Sequence, residues 1–288
     1  MTSIAGFVFL LVTVFGGYTI AGGKFGIIMK SLPYEMLMIG GAAIGAFVMA
    51  NSMHDVKHVF AGLGKIMKGP RFKKEDYTSL LSLLYFFSRL AQTKGAMALE
   101  PHIEKPEESP AFSKFPKIQA DHHATDLICD YLRMVGMNAD DPHQIEDVMA
   151  RELKKLKEEE LHPSHAMQNI ADALPALGIV AAVLGVIKTM ASIDQPPAVL
   201  GGMIGGALVG TFLGVLLAYG LMGPLAARLK GIVEEEAQYY EVIRAVIVAH
   251  LHGNAPQVSV EAGRKVAPSF LMPSFAETEA ALQELSIA

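Results

Sequence analysis

The side chains best suited to chemistry in this chain of 288 residues are ten histidines, one cysteine and a threonine in an apolar setting. His54 and His58 stand at i,i+4 spacing, and His162 and His165 form a second close pair. Such imidazole pairs can begin a transition-metal site. Neither pair is completed to a ligand set and HExxH is absent, so no metal site is expected. Cys129 stands alone, which excludes an internal disulfide and a multi-cysteine metal centre. In its apolar helical stretch it reads as a buried small hydrophobe. There is no phosphate-cradling glycine loop, no GxSxG and no paired-carboxylate signature. No catalytic residue and no cofactor are therefore expected, and the chain does not read as an enzyme. Thr211 lies mid-way along a long uncharged run beside regularly spaced glycines. A hydroxyl there either bonds back to its own helix or faces a lumen.

Half of the chain (51%) is hydrophobic, and the charged residues crowd positions 54–172 and 228–288. A helix crosses the roughly 30 Å hydrocarbon core with roughly 20 mostly apolar residues. Four stretches qualify: 1–23, 36–53, 173–193 with the single Lys188, and 195–227. The first lacks the basic flank and small-x-small cleavage site of a signal peptide and reads as a span. The run YTSLLSLLYFFS at 77–88 has only 12 residues between Asp76 and Arg89, and fits a buried soluble helix.

Basic residues near the span ends set the orientation. Lys57, Lys65, Lys68 and Arg71 follow the second span, Lys154, Lys155 and Lys157 precede the third, and Arg228 and Lys230 follow the fourth. The opposite loops carry only Lys24 and Lys30. Both termini and the 54–172 loop are thus expected in the cytoplasm.

The fourth span carries Gly202, Gly206, Gly210 and Gly214 every four residues, with Gly201 and Gly205 beside them. This is a side-chain-free stripe for close helix approach. Gly178, Ala181, Ala182 and Gly185 in the third span, and Gly41 and Gly45 in the second, suggest counterparts. No acid falls inside any of the four runs: Glu35 precedes the second, and Asp172 and Asp194 flank the third. Because membrane-buried acids are retained where protons are handled, this pattern implies that a partner supplies the titrating group. Lys188 is expected to snorkel to the outer interface. Pro175 reads as a helix start, while Pro224 interrupts a helical pattern that runs on and favours a kink.

The fold class expected is all-α: four transmembrane helices, a large helical cytoplasmic domain between spans 2 and 3, and a helical C-terminal cytoplasmic tail. The domains are 1–53, 54–170, 171–227 and 228–288. Helices are expected at 56–68, 76–100, 122–135, 144–160 and 225–251, with a Pro- and Glu-rich connector at 101–116 and a segment LHPSH leading back to the membrane. The net charge of −5 gives no reason to expect nucleic-acid binding.

Residues 171–225, ADALPALGIVAAVLGVIKTMASIDQPPAVLGGMIGGALVGTFLGVLLAYGLMGPL, closely resemble the third and fourth spans of the MotA family of flagellar stator subunits. MALEPHIEKP at 97–106, DYLR at 130–133 and VEAGRK at 260–265 extend the resemblance along nearly the whole chain. It implies a multi-pass inner-membrane protein that converts ion flow into torque. Five copies would surround the spans of two MotB-like, peptidoglycan-binding partners, each bringing a membrane aspartate. The family's two functional prolines correspond to Pro175 and Pro224, and its channel threonine to Thr211. Sodium-driven relatives place a threonine, an oxygen ligand for a hard cation, where this chain has Ala182, so the resemblance implies proton coupling.

The family also carries an arginine and a glutamate that meet the rotor protein FliG. The glutamate corresponds to Glu100. The arginine position holds Gln92, which leaves Lys94 and Arg89 as the nearby basic groups. A TolQ- or ExbB-like energiser is the nearest rival, but those relatives lack the leading pair of spans. A small-solute transporter should show broken helices and inverted repeats, and a passive scaffold leaves the MotA pattern unexplained.

Overall fold

The structure, a computed structural model, describes residues 2–136 and 141–285. Met1 of the first expected span, residues 137–140 of the loop domain and residues 286–288 of the tail lie outside the described residues. All regular elements among the described residues are helices, in accord with an all-α protein. Four of them are long and apolar enough to cross a membrane. The chain divides into two compact units, 1–69 with 160–232, and 70–159 with 233–288.

The first unit holds α1 (Thr2–Ile20), α2 (Phe25–Ala50) and α3 (Met53–Lys68). α1 carries no charge, and Phe9, Val12 and Ile20 point outward. Gly22, at φ +81, turns the chain into α2, a conformation that costs glycine nothing. Phe15 then meets Phe25 edge-on at 5.6 Å and Phe212 at 5.9 Å. α3 opens on a capping box in which the Asp55 amide donates to Ser52 Oγ (3.2 Å) and the Ser52 amide to the Asp55 carboxylate (3.2 Å).

The second unit opens with α4 (Lys74–Lys94). Short helices follow: α5 (Glu100–Ile103), α6 (Pro110–Ser113) and α7 (Pro116–Gln119), then α8 (His122–Gly136). The apolar run at 77–88 is a core helix here: Tyr77, Leu80, Leu81, Leu84 and Phe87 are buried with Phe112, Ile128, Tyr239 and Ile243. Phe72 stacks on Tyr239 with ring centroids 3.7 Å apart. Arg71 reaches Glu236 (3.3 Å) and Asp121 (3.7 Å) and donates to the Tyr240 hydroxyl (3.0 Å). Both carboxylates are nearly enclosed, so this network offsets the cost of burying them.

α9 (Pro142–Met190) is a single helix of 49 residues, and α10 (Pro197–Leu217) follows. A π-helical turn, Ala218–Met222, joins α10 to α11 (Gly223–Leu251). α9 and α11 each contribute to both units. The second unit closes with α12 (Pro256–Val266) and α13 (Phe275–Glu284).

Several expectations change. The helix expected over 76–100 stops at Gly95, whose φ of +81 ends α4 while its amide donates to Ala91 O. The Pro- and Glu-rich connector at 101–116 holds short helices, with Pro101, Pro110 and Pro116 each in a first turn, where a missing N–H costs nothing. The helix expected to end at 160 runs through LHPSH and Pro163 into the third apolar run. Pro175 therefore lies inside α9 and is not a helix start.

The largest change concerns α2. It begins at Phe25, well before the expected 36, and takes in Lys30, Pro33 and Glu35. Glu35 is thus an acid inside a candidate span, contrary to the expectation that the spans hold none. It falls at a buried position, 5% exposed, on the face of α2 that packs inward.

Candidate functional site

The apolar helices of the first unit pack around the glycines of α10. Along one side, Ile27, Ser31 and Glu35 of α2 recur every four residues. Their side chains fill the notches left by Gly205, Gly206 and Gly210: a Cβ at these glycines would stand 3.4 Å from Ile27, 2.8 Å from Ser31 Oγ and 2.5 Å from Glu35 Oε2. Along the other side lies α9. A Cβ on Gly178 would meet Gly210 O at 2.8 Å, and one on Gly185 would meet the Ala207 Cβ at 2.5 Å. The glycine stripe is thus used on both flanks, and helix backbones approach as they do where small residues line an interface. Gly201, Gly202, Gly41 and Gly45 face open space within the chain.

Thr211 sits beside this double contact and is half-buried. Thr13, Thr19 and Thr189 each bond back to their own helix, at 2.9, 2.8 and 2.9 Å. No such bond from Thr211 occurs among the described residues, so its hydroxyl stays available to a partner or an ion. Ala182, one turn after Gly178 on α9, is also half-buried and has only a methyl group to offer. It cannot coordinate a cation.

The two prolines occupy different settings. Pro175 follows Leu174, whose carbonyl oxygen lies 2.7 Å from where a Gly214 Cβ would be. Pro224 is exposed and is the second residue of α11. Immediately before it, the Gly223 amide donates to Ala218 O, one residue farther back than in an α-helix. A π-turn thus lies immediately N-terminal to Pro224, the residue at which a kink is expected. Leu10 of α1 packs against it, 3.1 Å from a Gly220 Cβ.

Glu35 was missed because only residues 36–53 were read as a span. Its Oε2 is enclosed and has no hydrogen-bond partner among the described residues. A cavity of about 380 Å³ opens beside it, lined also by Ser31, Tyr34, Lys188, Gly202 and Gly206. No residue-type periodicity in 25–35 marks the upstream turns, which hold Lys30, Pro33 and Glu35.

Within the second unit, Arg89, Gln92 and Lys94 are exposed on α4 and Glu100 is exposed at the start of α5. The break at Gly95 places Glu100 on a different helix from the basic candidates. α5 is held to α8 by Arg133, which reaches Glu104 at 2.8 Å and Asp130 at 2.7 Å. His102 bonds Ser109 at 2.8 Å, and that hydroxyl caps α6. Burial lowers the His102 pKa from its ordinary value. Cys129 is buried, and its thiol is pushed up to about 12 chiefly by that burial.

His54 and His58 lie with ring centroids 4.2 Å apart. The metal-capable grouping among the described residues is a different one: donor atoms of His143, Glu146 and His252 fall within 4.8 Å of one another. It joins positions more than a hundred residues apart, which pair spacing in a sequence cannot reveal.

Known proteins resemble this chain along nearly its whole length. Residues 4–95 match the Motility protein A N-terminal family, and residues 119–242 match the MotA/TolQ/ExbB proton channel family. Motility protein A of Salmonella typhimurium is 38% identical over 279 residues, 97% of this chain and 94% of the relative. Chemotaxis protein LafT of Vibrio parahaemolyticus is 36% identical over 284 residues, 99% of each. The solved structure of C. jejuni MotAB has the same fold, with a TM-score of 0.73 at 20% identity over 93% of this chain and 96% of that one. The chain belongs to the Motility protein A family, within the MotA/TolQ/ExbB proton channel family.

Proposed function

We propose that this chain is the ion-channel subunit of a flagellar motor stator, converting proton flow across the inner membrane into torque on the rotor. One observation carries the reading: the similarity to Motility protein A runs through 97% of the chain, leading spans included. A TolQ- or ExbB-like role would leave the match of residues 4–95 to the Motility protein A N-terminal family without a purpose.

The partner is a MotB-like, single-span, peptidoglycan-binding subunit supplying a membrane aspartate. Support comes from solved relatives of the same fold that are MotAB complexes, one of them described as a flagellar stator complex of Bacillus subtilis. An absence of acids in this chain no longer supports it, since Glu35 is present. Five copies of the chain surround two partner spans, and lipid covers the outward apolar faces of α1 and α2. Both termini lie in the cytoplasm, as the basic residues flanking the spans indicate.

Thr211 lines the pathway, and Ala182, which offers no oxygen ligand, favours protons over sodium. Each elementary charge falling through 100 mV releases about 2.3 kcal/mol. Pro175 and Pro224 couple the channel to the second unit, because each sits in a helix that contributes to both units. Glu100, Lys94 and Arg89 meet charged residues of a FliG-like rotor protein, with Gln92 in the position of the family's arginine.

Motility in sodium-free medium at neutral pH tests the coupling ion. Sustained swimming is expected. Collapse of swimming there rejects the proton assignment.

A further inference from the structure

We propose that Glu35 is a proton-binding station of the ion pathway, loaded from the cavity between α2, α9 and α10 and unloaded at the level of Gly210 and Thr211. The proposal deepens the channel reading and rests on it.

Three observations carry it. The first is the cost of the residue where it stands. Glu35 is 95% enclosed among apolar helices, and its Oε2 has no partner. A carboxyl group so placed destabilises a membrane helix, and acids there are kept where protons or ions move. Packing alone would be served by an apolar side chain of similar size.

The second is depth. Glu35 lies ten residues into α2 and Gly210 thirteen residues into α10. At 1.5 Å per residue these are ~15 and ~20 Å from the helix ends, near the middle of a ~30 Å hydrocarbon layer. The 2.5 Å approach of a Gly210 Cβ position to Glu35 Oε2 places the carboxyl one residue from Thr211 along α10. Gly210 lies between Glu35 and Ala181: its Cβ position is 2.5 Å from Glu35 Oε2 and 3.3 Å from the Ala181 Cβ. No side chain at residue 210 separates the carboxyl from the α9–α10 contact.

The third is access. The cavity beside Glu35 extends to Lys188 and Gly202, close to the ends of α9 and α10 that their short connection joins. Its volume of about 380 Å³ holds several waters. Its other titratable groups are Tyr34 on α2 itself and Lys188 on α9, while α10 brings only glycine, alanine and methionine. Ser31, one turn from Glu35, adds a hydroxyl that can hold water in line.

The step is a proton exchange that balances over each cycle. A proton from cavity water binds the Glu35 carboxylate, and the same group then releases one proton towards the partner's membrane carboxylate. Glu35 is unchanged after each passage, and the net transfer is one proton.

The test is voltage-driven proton uptake by proteoliposomes holding the full chain with its single-span partner, comparing wild type, Glu35→Gln and Glu35→Asp. Glutamine keeps the size and polarity but cannot exchange a proton at neutral pH. Uptake is expected to fall about tenfold or more in Glu35→Gln, a barrier rise of about 1.4 kcal/mol or more, and to persist in Glu35→Asp. Copurification of the partner at the wild-type ratio establishes assembly. If Glu35→Gln does not assemble, Glu35→Asn against Glu35→Asp gives the same contrast. Wild-type uptake in Glu35→Gln overturns the proposal and leaves the channel reading standing. No uptake by the wild-type complex overturns both.

Discussion

Gly178 and Gly214 face each other with no side chain between them: a Cβ on Gly214 would lie 2.9 Å from the Gly178 Cα. The same Cβ would lie 2.7 Å from the carbonyl oxygen of Leu174, the residue before Pro175. The approach of α9 to α10 is therefore set at the level of a candidate coupling proline. Replacing Gly178 by valine must push backbone against backbone, since the atoms it meets are Gly210 O and the Cα atoms of Gly214 and Thr211. Overpacking of this kind costs about 1–3 kcal/mol. Thermal unfolding of the detergent-solubilised protein should show the loss, and an unchanged midpoint would mean that the two helices do not pack as described.

Thr211→Val removes a hydroxyl that makes no bond to its own helix, so it should leave folding nearly unchanged and slow rotation severely. Pro175→Ala should likewise slow rotation while membrane insertion stays at the wild-type level. Swimming speed together with immunoblots of membrane fractions reads both effects. Wild-type speed in both variants would remove these residues from the pathway.

The exposed charges of the second unit make a separate prediction. Because Arg89, Lys94 and Glu100 are solvent-facing, reversing any of them should change stability by only about 0.5 kcal/mol or less. Torque should nevertheless fall in Glu100→Lys and in at least one of Arg89→Glu and Lys94→Glu. Compensating reversals on the rotor protein should restore it. Full torque from all three reversals would reject this surface as the rotor contact.

His102 predicts a pH effect. Burial holds its folded-state pKa below the ordinary value of about 6.5. The unfolded chain therefore takes up a proton at a pH where the folded chain does not. Its contribution is fully present above about 6.5 and is lost as pH falls through that value towards the lower folded one. Melting temperatures compared at about pH 8 and about pH 5.5, either side of the ordinary imidazole value, should fall further in wild type than in His102→Gln. Equal decreases would mean that His102 is not the responsible group.

Much of this was legible in the sequence, and the reasons differ from residue to residue. The glycines of α10 announced a close helix contact because their four-residue recurrence survives in any local reading. The run at 77–88 was too short to span and proved to be core. Glu35 was hidden because a span was delimited by its uncharged stretch, whereas α2 buries its acid in the notch of Gly210, which lies on another helix. Pro175 reads in the sequence as a helix start and LHPSH as a connection, yet α9 continues through Pro163 and Pro175. A helix packed along its length can absorb the loss of one hydrogen bond at each proline. The grouping of His143, Glu146 and His252 likewise depends on tertiary packing and leaves no local trace.

The central claim is that this chain turns the flagellar motor, and the most direct measurement is filament rotation in cells from which its gene has been deleted. The account predicts assembled filaments that do not turn, with rotation restored by the wild-type chain and not by Thr211→Val. Filaments that rotate normally without the chain would contradict it.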